Sequence, residues 1–401
     1  MALMPVAEAL QRVLADARAL PAEMVALNDA LGRVLTNDVK ALRTQPPAVV
    51  SAMDGYAVRA IDVAAAPVTL KLIGEVAAGH PFAGRVGAGQ AARIFTGGVM
   101  PDGTDTVVIQ ELASRAGDDV TFQKPTAKSR NVRDQGIDFT KDQVLLRKGQ
   151  RLTDRDLMLA AAMNHPRLSV HRRPKVAVLG TGDELVAPGS TPAPGEIVYS
   201  NGFALTALAR SEGAEVSDLG IARDLVVDIA AAVRRARDAG ADILVTSGGA
   251  SVGEHDLVQK ALAAEGLDLS FWRVALRPGR PMMHGRMGTM QVLGLPGNPV
   301  SSYVCAFLFL VPLIRKLAGR ADVERATQPA RLGCDLPAND ERADYLRATL
   351  KPGPDGPIAT PLPAQDSSLM APLAQADCLL IRPPNAPAAS SGSACVILKL
   401  G

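Results

Sequence analysis

The stretch from Lys175 to Leu317 alternates strand-like and helix-like segments, and this alternation constrains the fold more than any other feature of the sequence. Continuous apolar runs such as KVAVLG and ADILVTSGG are typical of strands that are buried on both faces. Between them lie helical segments that end at Gly213 and Gly240. The pattern predicts a doubly wound, mostly parallel sheet with helices on both faces. In such sheets, ligands bind at the carboxyl ends of the strands.

The sequence on either side of this α/β domain has a different texture, so we expect a multidomain α/β protein. An elongated N-terminal region is predicted for residues 1–172, with a small β-rich insert at about 47–140. The α/β domain is placed at 173–320. Short strand-like runs separated by Pro and Gly predict a small all-β domain over 325–401.

Composition excludes several classes of protein. With 43 basic and 41 acidic residues the net charge is +2, which offers no basic field for nucleic acid. The four cysteines are scattered without a C-x-x-C pair, a pattern typical of neither a disulfide framework nor a zinc site. The most apolar run, Val304 to Ile314, is too short to span a bilayer. We therefore expect a cytoplasmic protein that binds neither nucleic acid nor membrane.

Three strand ends in the α/β domain carry glycines and polar side chains. The strands run into TGDEL, TSGGASVGEHD and LPGNPVSS. Glycine-rich turns and helix starts present N–H groups to an anion, and carboxylates beside a phosphate need Mg²⁺ between them. These loops therefore predict a phosphate site with Mg²⁺. The alternative is that the glycines are ordinary turns and that Asp256 caps a helix. A nicotinamide cofactor is not indicated, because LGTGDEL lacks the third glycine of the dinucleotide motif.

Further polar residues surround rigid turns elsewhere. Arg273, Arg277 and Arg280 lie around Pro278 and Gly279 with no acid nearby in the sequence, and guanidinium forks in such a turn suit a tetrahedral oxyanion. A solvated basic face is the alternative. In the N-terminal region, SAMDGYAV, RIFTGG and NVRDQGID carry polar residues that ordinary turns would also explain.

Taken together, these stretches resemble the molybdopterin molybdenumtransferase family (the MoeA type). The matching segments occur in the family's order up to about residue 303 and are SAMDGYAV, RIFTGGVMPDGTDTVV, NVRDQGID, LGTGDEL, SNGFAL, TSGGASVGEHD, RPGRP and GLPGNPVSS. The resemblance implies the last step of molybdenum cofactor synthesis. Adenylylated molybdopterin and molybdate would be bound, molybdenum placed on the dithiolene sulfurs, and AMP released in an Mg²⁺-dependent step. It also implies an elongated homodimer with the site between subunits.

The resemblance and the loops together indicate the site residues. The expected catalytic residues are Asp54, Asp138, Glu184, Asp224 and Asp256. Of these, Glu184 and Asp256 would hold Mg²⁺. The expected substrate-binding residues are Thr96, Gly248, Gly249, Ser251, Arg273, Arg277, Arg280, Pro296, Pro299 and Ser301. Family members often carry lysines in the PGKP region where this chain has arginines. An arginine keeps its proton, so proton transfer is not expected there.

Two alternative functions stay open. The middle domain alone also resembles the small molybdopterin adenylyltransferases, but those lack the long N-terminal part. The second alternative function is a non-catalytic molybdopterin-binding scaffold. The charged loops are intact in this sequence, which disfavours that alternative. We expect a homodimer, because the N-terminal helices and the Val304 to Leu313 segment offer apolar surface. A molybdopterin adenylyltransferase is a further candidate partner.

Overall fold

The structure, a computed structural model, describes residues 3–77, 79–248 and 257–401. The chain enters the N-terminal region, leaves it for the β-rich insert, and returns before the α/β domain begins. Antiparallel pairs form where the outgoing and returning chains meet. They join Ala22–Ala26 to Arg167–His171 and Val39–Lys40 to Val144–Leu146. The helix Asp154–Ala162 packs beside them around the buried Leu35, Leu146 and Leu168.

The insert is a six-stranded sheet with its own two apolar clusters. In spatial order its strands are Thr106–Ile109, Gly55–Val58, Gln90–Ile94, Val68–Val76, Asp119–Phe122 and Ala113–Ala116. Short 3₁₀ turns at Ala60–Val63 and Gln110–Leu112 join strands that are consecutive in sequence but not adjacent in the sheet. A separate two-residue pairing of Val50–Ser51 with Val132–Arg133 closes the base of the insert. The insert is therefore β-rich, as the sequence predicted.

The α/β domain is the predicted doubly wound sheet. In spatial order its strands are Glu215–Ala222, Lys175–Thr181, Ile243–Ser247, Met290–Leu295, Met283–Met287 and Asp268–Trp272. The first four are parallel, and Met283–Met287 runs antiparallel to both of its neighbours. A short parallel pair, Leu185–Val186 with Ile197–Val198, lies outside this sheet.

Alternate residues of the central strands point to opposite faces, and each face buries a different set of helices. Val176 and Val178 pack in one cluster with the helices Asn201–Ser211 and Pro299–Cys305. The latter continues through a π-helical turn, Ala306–Leu310, into the helix Val311–Leu317. The N-terminal helix Val6–Ala15 joins the same cluster. Ala177 and Leu179 pack on the other face against Val226–Asp238 and Leu257–Ala264.

One helix among the described residues has the length and apolarity of a membrane span. It runs from Pro299 to Leu317, longer than the apolar run noted in the sequence, and 83% of its apolar window is buried within the protein. Val304, Leu310 and Leu313 are fully buried against the sheet. Its apolar character is therefore accounted for by the protein's own core.

The C-terminal domain is a closed five-stranded barrel, because each of its strands pairs with two others. Its strands are Gln328–Leu332, Ala343–Lys351, Ile358–Pro361, Cys378–Arg382 and Ala394–Lys399, with one short helix at Met370–Ala374. The strand Leu276–Arg277, which belongs to the α/β domain in sequence, pairs with Ala343–Lys351. The two domains are thus joined by backbone hydrogen bonds as well as by a linker.

A buried ion cluster fixes that linker. Glu212, only 6% exposed, accepts hydrogen bonds from the guanidinium groups of Arg315, Arg320 and Arg325. Burial alone would raise the pKa of Glu212, but the hydrogen bonds from Arg315 and the charges of the three arginines lower it. Removing Glu212 would leave three partly buried cations without their shared anion, which is strongly destabilising.

Candidate active site

The three predicted loops leave the sheet side by side. Gly180, Ser247 and Leu295 are register partners on three adjacent parallel strands. The loops that follow these residues therefore start at one edge of the sheet, as the sequence predicted. This is the edge at which doubly wound folds bind ligands.

Small residues let the three loops touch through their backbones. Gly248 has φ +102°, and a Cβ there would collide with the carbonyl oxygen of Thr181. A Cβ on Gly297 would lie 3.6 Å from the Cα of Gly248. The Asn201 side chain links the second and third loops by donating to Ser247 Oγ and to the Gly297 carbonyl, each at 2.8 Å. Only glycine satisfies both the backbone conformation and the close contact at position 248.

These loops enclose a cleft of ≈ 630 Å³, which we call the strand-end cleft. It contains the predicted residues Glu184, Gly248, Pro296, Pro299 and Ser301. The C-terminal domain contributes Ser368 and Met370 to its wall. A second cavity of ≈ 800 Å³ adjoins it, with Ser200, Asn201, Pro299 and Met370 in the walls of both. A long ligand can therefore lie across the junction of the two domains.

Two features of the strand-end cleft suit an anion. The helices that begin at Asn201 and Pro299 both start in its wall, and the N-cap side chains of Ser200 and Asn298 make no capping hydrogen bond. The first-turn N–H groups of the Asn201 helix carry a positive partial charge. The second helix contributes its dipole, but Pro299 has no N–H and the Val300 N–H donates to the Ser367 carbonyl at 3.0 Å. In the same wall, Thr181 Oγ1 and Tyr199 Oη are buried without a hydrogen-bond partner among the described residues. Burial raises the pKa of Tyr199 to about 12, so its phenol keeps its proton.

Of the two predicted metal ligands, Glu184 is among the described residues and Asp256 is not. Glu184 is exposed and lies in the wall of the cleft. Asp224 is beside the first loop, where its N–H donates to Asp183 Oδ1 at 3.1 Å, but it does not line the cleft. Asp256, Gly249 and Ser251 lie outside the described residues. Across 3–77, 79–248 and 257–401 there is no cluster of three or more metal-ligating side chains. Mg²⁺ commonly takes one or two carboxylates plus substrate phosphates, so Glu184 fits the role of one protein ligand.

The three arginines of the RPGRP region have different surroundings. Arg277 donates to Asp344 from Nε at 2.6 Å and from Nη2, and also to Asp340 at 3.2 Å. Its guanidinium thus binds the C-terminal domain, and hydrogen bonding to Asp344 raises its pKa. Arg273 has φ +91° and its guanidinium lies 5.5 Å from the centre of the Trp272 ring. Arg280 is exposed and immediately precedes Pro281, which lines the cleft.

Two of the predicted site residues of the insert, Asp54 and Thr96, contact each other. Thr96 donates to Asp54 Oδ1 from its backbone N–H at 2.7 Å and from its hydroxyl at 2.8 Å. These two bonds, the N–H first, lower the pKa of Asp54. Asp138 is exposed, and its N–H donates to the Gln45 carbonyl at 3.1 Å. None of the three lines the strand-end cleft of the same chain within the described residues.

Arg347 was missed by the sequence analysis. It is fully buried; Nη2 donates to the carbonyls of Ala364 and Asp366, while Nε and Nη1 have no partner among the described residues. The loop that it holds leads directly to Ser368 in the wall of the cleft. The alternation of the segment YLRATL could have indicated its position. Leu346 and Leu350 pack on the barrel core, whereas Tyr345 packs in the apolar cluster of the α/β domain. Alternation puts Arg347 on the same side as Tyr345, between the domains.

The fold and the cleft define a three-part protein whose central α/β domain has a cleft suited to an anion at the ends of its strands. Family models match each part: the MoeA N-terminal region (domain I and II) at residues 4–164, a probable molybdopterin binding domain at 177–316, and the MoeA C-terminal region (domain IV) at 329–400. The chain belongs to the molybdopterin molybdenumtransferase family.

Individual relatives agree with this assignment. A molybdopterin molybdenumtransferase of Nostoc sp. is 38% identical over 82% of this chain and 77% of its own length. The protein of the same name from Haemophilus influenzae is 37% identical over 74% of this chain and 73% of its own. The crystal structure of the molybdopterin biosynthesis protein MoeA from Pyrococcus horikoshii superposes with a TM-score of 0.84 at 28% identity, covering 99% of this chain and 100% of that one. The predicted family and three-part fold are confirmed.

Proposed function

We propose that this protein transfers molybdenum from molybdate to adenylylated molybdopterin and releases AMP. The observation that carries the proposal is the strand-end cleft, where backbone N–H groups, two helix starts and one carboxylate share a wall. Such a wall suits a phosphoanhydride, the anionic centre of the substrate. The adjoining cavity gives the rest of a long substrate room to bind.

The residues present suit a reaction in which positioning and charge matter more than covalent catalysis. Cleavage of a phosphoanhydride requires neutralisation of the charge that develops on the phosphates. We assign Glu184 and Asp256 to Mg²⁺, which would supply that neutralisation when bound. The sulfurs that accept molybdenum belong to the substrate, so the reaction needs no protein thiolate. The chain's own residues hold the phosphates and exclude water.

Molybdate is a tetrahedral dianion, and two arginines suit it that do not line the cleft but adjoin the segments that do. Arg347 is charged, buried and has two unpartnered nitrogen atoms beside the loop that ends at Ser368. A buried guanidinium without its full set of acceptors is costly unless an anion completes it. Arg280 is exposed next to the same cleft. We propose these two as the molybdate-binding arginines.

We also propose a homodimer in which the Asp54 turn of one subunit completes the cleft of the other. The predicted Val304 to Leu313 surface is not available for this purpose, since that segment lies largely buried in the chain's own core. Other apolar side chains support the proposal: Met24, Leu31, Leu42 and Met158 of the N-terminal region are each at least half exposed. Light scattering at micromolar concentration should give twice the chain mass of 41.8 kDa. A monomeric mass would rule out the shared site.

We place the protein in the cytoplasm, with a molybdopterin adenylyltransferase as the partner that supplies its substrate. All four cysteines are free thiols, as is usual in a reducing compartment. Family-model matches to the N-terminal and C-terminal regions favour this activity over a stand-alone adenylyltransferase.

The test is turnover. The purified protein, adenylylated molybdopterin, molybdate and Mg²⁺ should release AMP at a rate that depends on molybdate and is abolished by a chelator of Mg²⁺. AMP release without molybdate would indicate a simple hydrolase. Substrate binding with no release under any condition would favour the scaffold.

A further inference from the structure

Arg93 occupies an unusual position in the insert. Its guanidinium lies 5.1 Å from the centre of the Tyr56 ring and 4.9 Å from that of Phe95. Contacts with two aromatic rings restrict the planar group, and cation–π attraction adds to the restriction. The side chain is therefore fixed although it is only partly buried.

Both hydrogen bonds of the Arg93 guanidinium end on residues next to Asp54 or bonded to it, one on a carbonyl and one on a side chain. Nη1 donates to the carbonyl of Gly55, the residue after Asp54, at 3.1 Å. Nη2 donates to the side chain of Gln110 at 2.6 Å, and the Gln110 N–H donates to the Asp54 carbonyl at 3.1 Å. The two chain segments that determine where Asp54 points are thus linked through one guanidinium.

The Asp54 carboxylate itself is held at one oxygen only. Both bonds from Thr96 end on Oδ1, and no described residue donates to Oδ2. Thr96 follows the strand Gln90–Ile94, which carries Arg93, by two residues. Gly55 cannot be replaced without moving this turn, because a Cβ there would collide with the carbonyl of Val108. The arrangement leaves Oδ2 without a donor among the described residues and therefore available to a ligand.

We infer that Arg93 is a positioning residue for Asp54: it fixes the turn on both sides of the carboxylate and keeps Oδ2 directed at the substrate. The inference rests on the proposed function, in which Asp54 belongs to the reacting site. The positive charge of Arg93 also contributes to the lowered pKa of Asp54, after the two hydrogen bonds from Thr96.

The test compares Arg93→Met and Arg93→Lys with the control Arg115→Met. Arg115 is in the same sheet, is exposed, and makes one hydrogen bond, to the Gly117 carbonyl. We expect Arg93→Met to lower kcat for AMP release by roughly ten- to a hundredfold with KM for the adenylylated substrate nearly unchanged. Arg93→Lys should recover part of that loss, because it keeps the charge over the rings, and Arg115→Met should behave as wild type. A selective rise in KM would overturn a positioning role.

A double-mutant cycle separates positioning from a general structural role. If Arg93 acts through Asp54, Arg93→Met should change the residual activity of Asp54→Asn by less than about twofold. Multiplicative losses in the double mutant would contradict the inference.

A second readout does not depend on turnover. In ¹³C NMR of the carboxyl groups, with Asp54 assigned by Asp54→Asn, the pKa of Asp54 should be higher in Arg93→Met than in wild type and unchanged in Arg115→Met. An unchanged Asp54 pKa in Arg93→Met would overturn the inference even in an active enzyme. If wild type releases no AMP but the Asp54 pKa rises as expected, the proposed function fails while the positioning of Asp54 stands.

Discussion

The strand-end cleft and the Asp54 turn are the two regions of the proposed site, and they are built differently. The cleft is made by backbone: three loops touch through glycines, and its charge comes from helix starts. In the turn, the Asp54 carboxylate accepts hydrogen bonds from the backbone N–H and the hydroxyl of Thr96, while Arg93 donates to the neighbouring Gly55 carbonyl. Backbone N–H groups are fixed donors that do not change protonation, whereas a carboxylate can accept a proton or a hydrogen bond. We therefore propose that the cleft binds the substrate and that the Asp54 turn takes part in the chemistry. The first experiment tests whether the cleft and the turn form one site.

The largest effect expected comes from separating the two regions onto different chains. Asp54→Asn and Glu184→Gln should each lower AMP release more than about a hundredfold as homodimers. After mixed unfolding and refolding, half of the dimers carry one variant chain of each kind. One cleft of such a dimer has both substitutions and the other has none, so activity should rise toward about a quarter of wild type. No recovery, with hybrid dimers demonstrated by differential tags, would mean that the two regions do not share a site.

A second experiment disrupts the backbone-built cleft alone. Gly248→Ala introduces a Cβ that collides with Thr181, in addition to the cost of φ +102°, whereas Gly240→Ala at φ +69° meets open space. The left-handed conformation should cost about 1–2 kcal/mol in both variants, and the collision a further ~1–3 kcal/mol in Gly248→Ala. AMP release should fall about a hundredfold in Gly248→Ala only. Equal activities in the two variants would show that the loop contact is not needed.

The arginines provide a third comparison. Arg347→Met removes a buried cation with unpaired nitrogens, so we expect KM for molybdate to rise roughly ten- to a hundredfold. Loss of its bonds to the Ala364 and Asp366 carbonyls should lower the free energy of unfolding by about 1–3 kcal/mol without preventing folding. If Arg347→Met instead lowers the folded fraction, and the activity that remains does not depend on molybdate concentration, then Arg347 is a structural residue.

The smallest effect on turnover is expected for Arg277, which the sequence predicted as a substrate ligand. Its partner Asp344 is 6% exposed and would be left unpaired in Arg277→Ala. Because Arg277 itself is partly exposed, we expect a loss of about 1–3 kcal/mol in the free energy of unfolding and less than about a threefold change in KM for molybdate. A large, selective change in that KM would restore the original prediction.

These cases show which parts of a site can be predicted from sequence. The three loops were predictable because each is a local pattern: an apolar strand followed at once by glycine and polar residues. The strands Lys175–Thr181 and Ile243–Ser247 end where that pattern indicated. The surroundings of Arg277 could not be predicted in this way. Its partner Asp344 is 67 residues away in sequence, and the two side chains meet only when the barrel packs against the α/β domain.

The Asp54 turn lies between these extremes. Asp54 and Thr96 are 42 residues apart, and each occurs in a segment that an ordinary turn would explain. Resemblance alone indicated both, whereas their hydrogen bonding and the role of Arg93 required the sheet that brings the strands together. Periodicity predicts which faces of a strand are buried, but not which distant side chain meets a polar group at its end.

The pairing of Leu276–Arg277 with the barrel strand Ala343–Lys351 determines where this protein can be truncated and which residues a domain exchange must include. In sequence the C-terminal domain is predicted as a separate unit, but the strand Leu276–Arg277 that pairs with it lies 51 residues before its first strand at Gln328. A truncation before residue 328 would leave the 276–277 backbone as an open edge, available to pair with other chains. An exchange of C-terminal domains between relatives should therefore carry residues 276–277 together with the barrel.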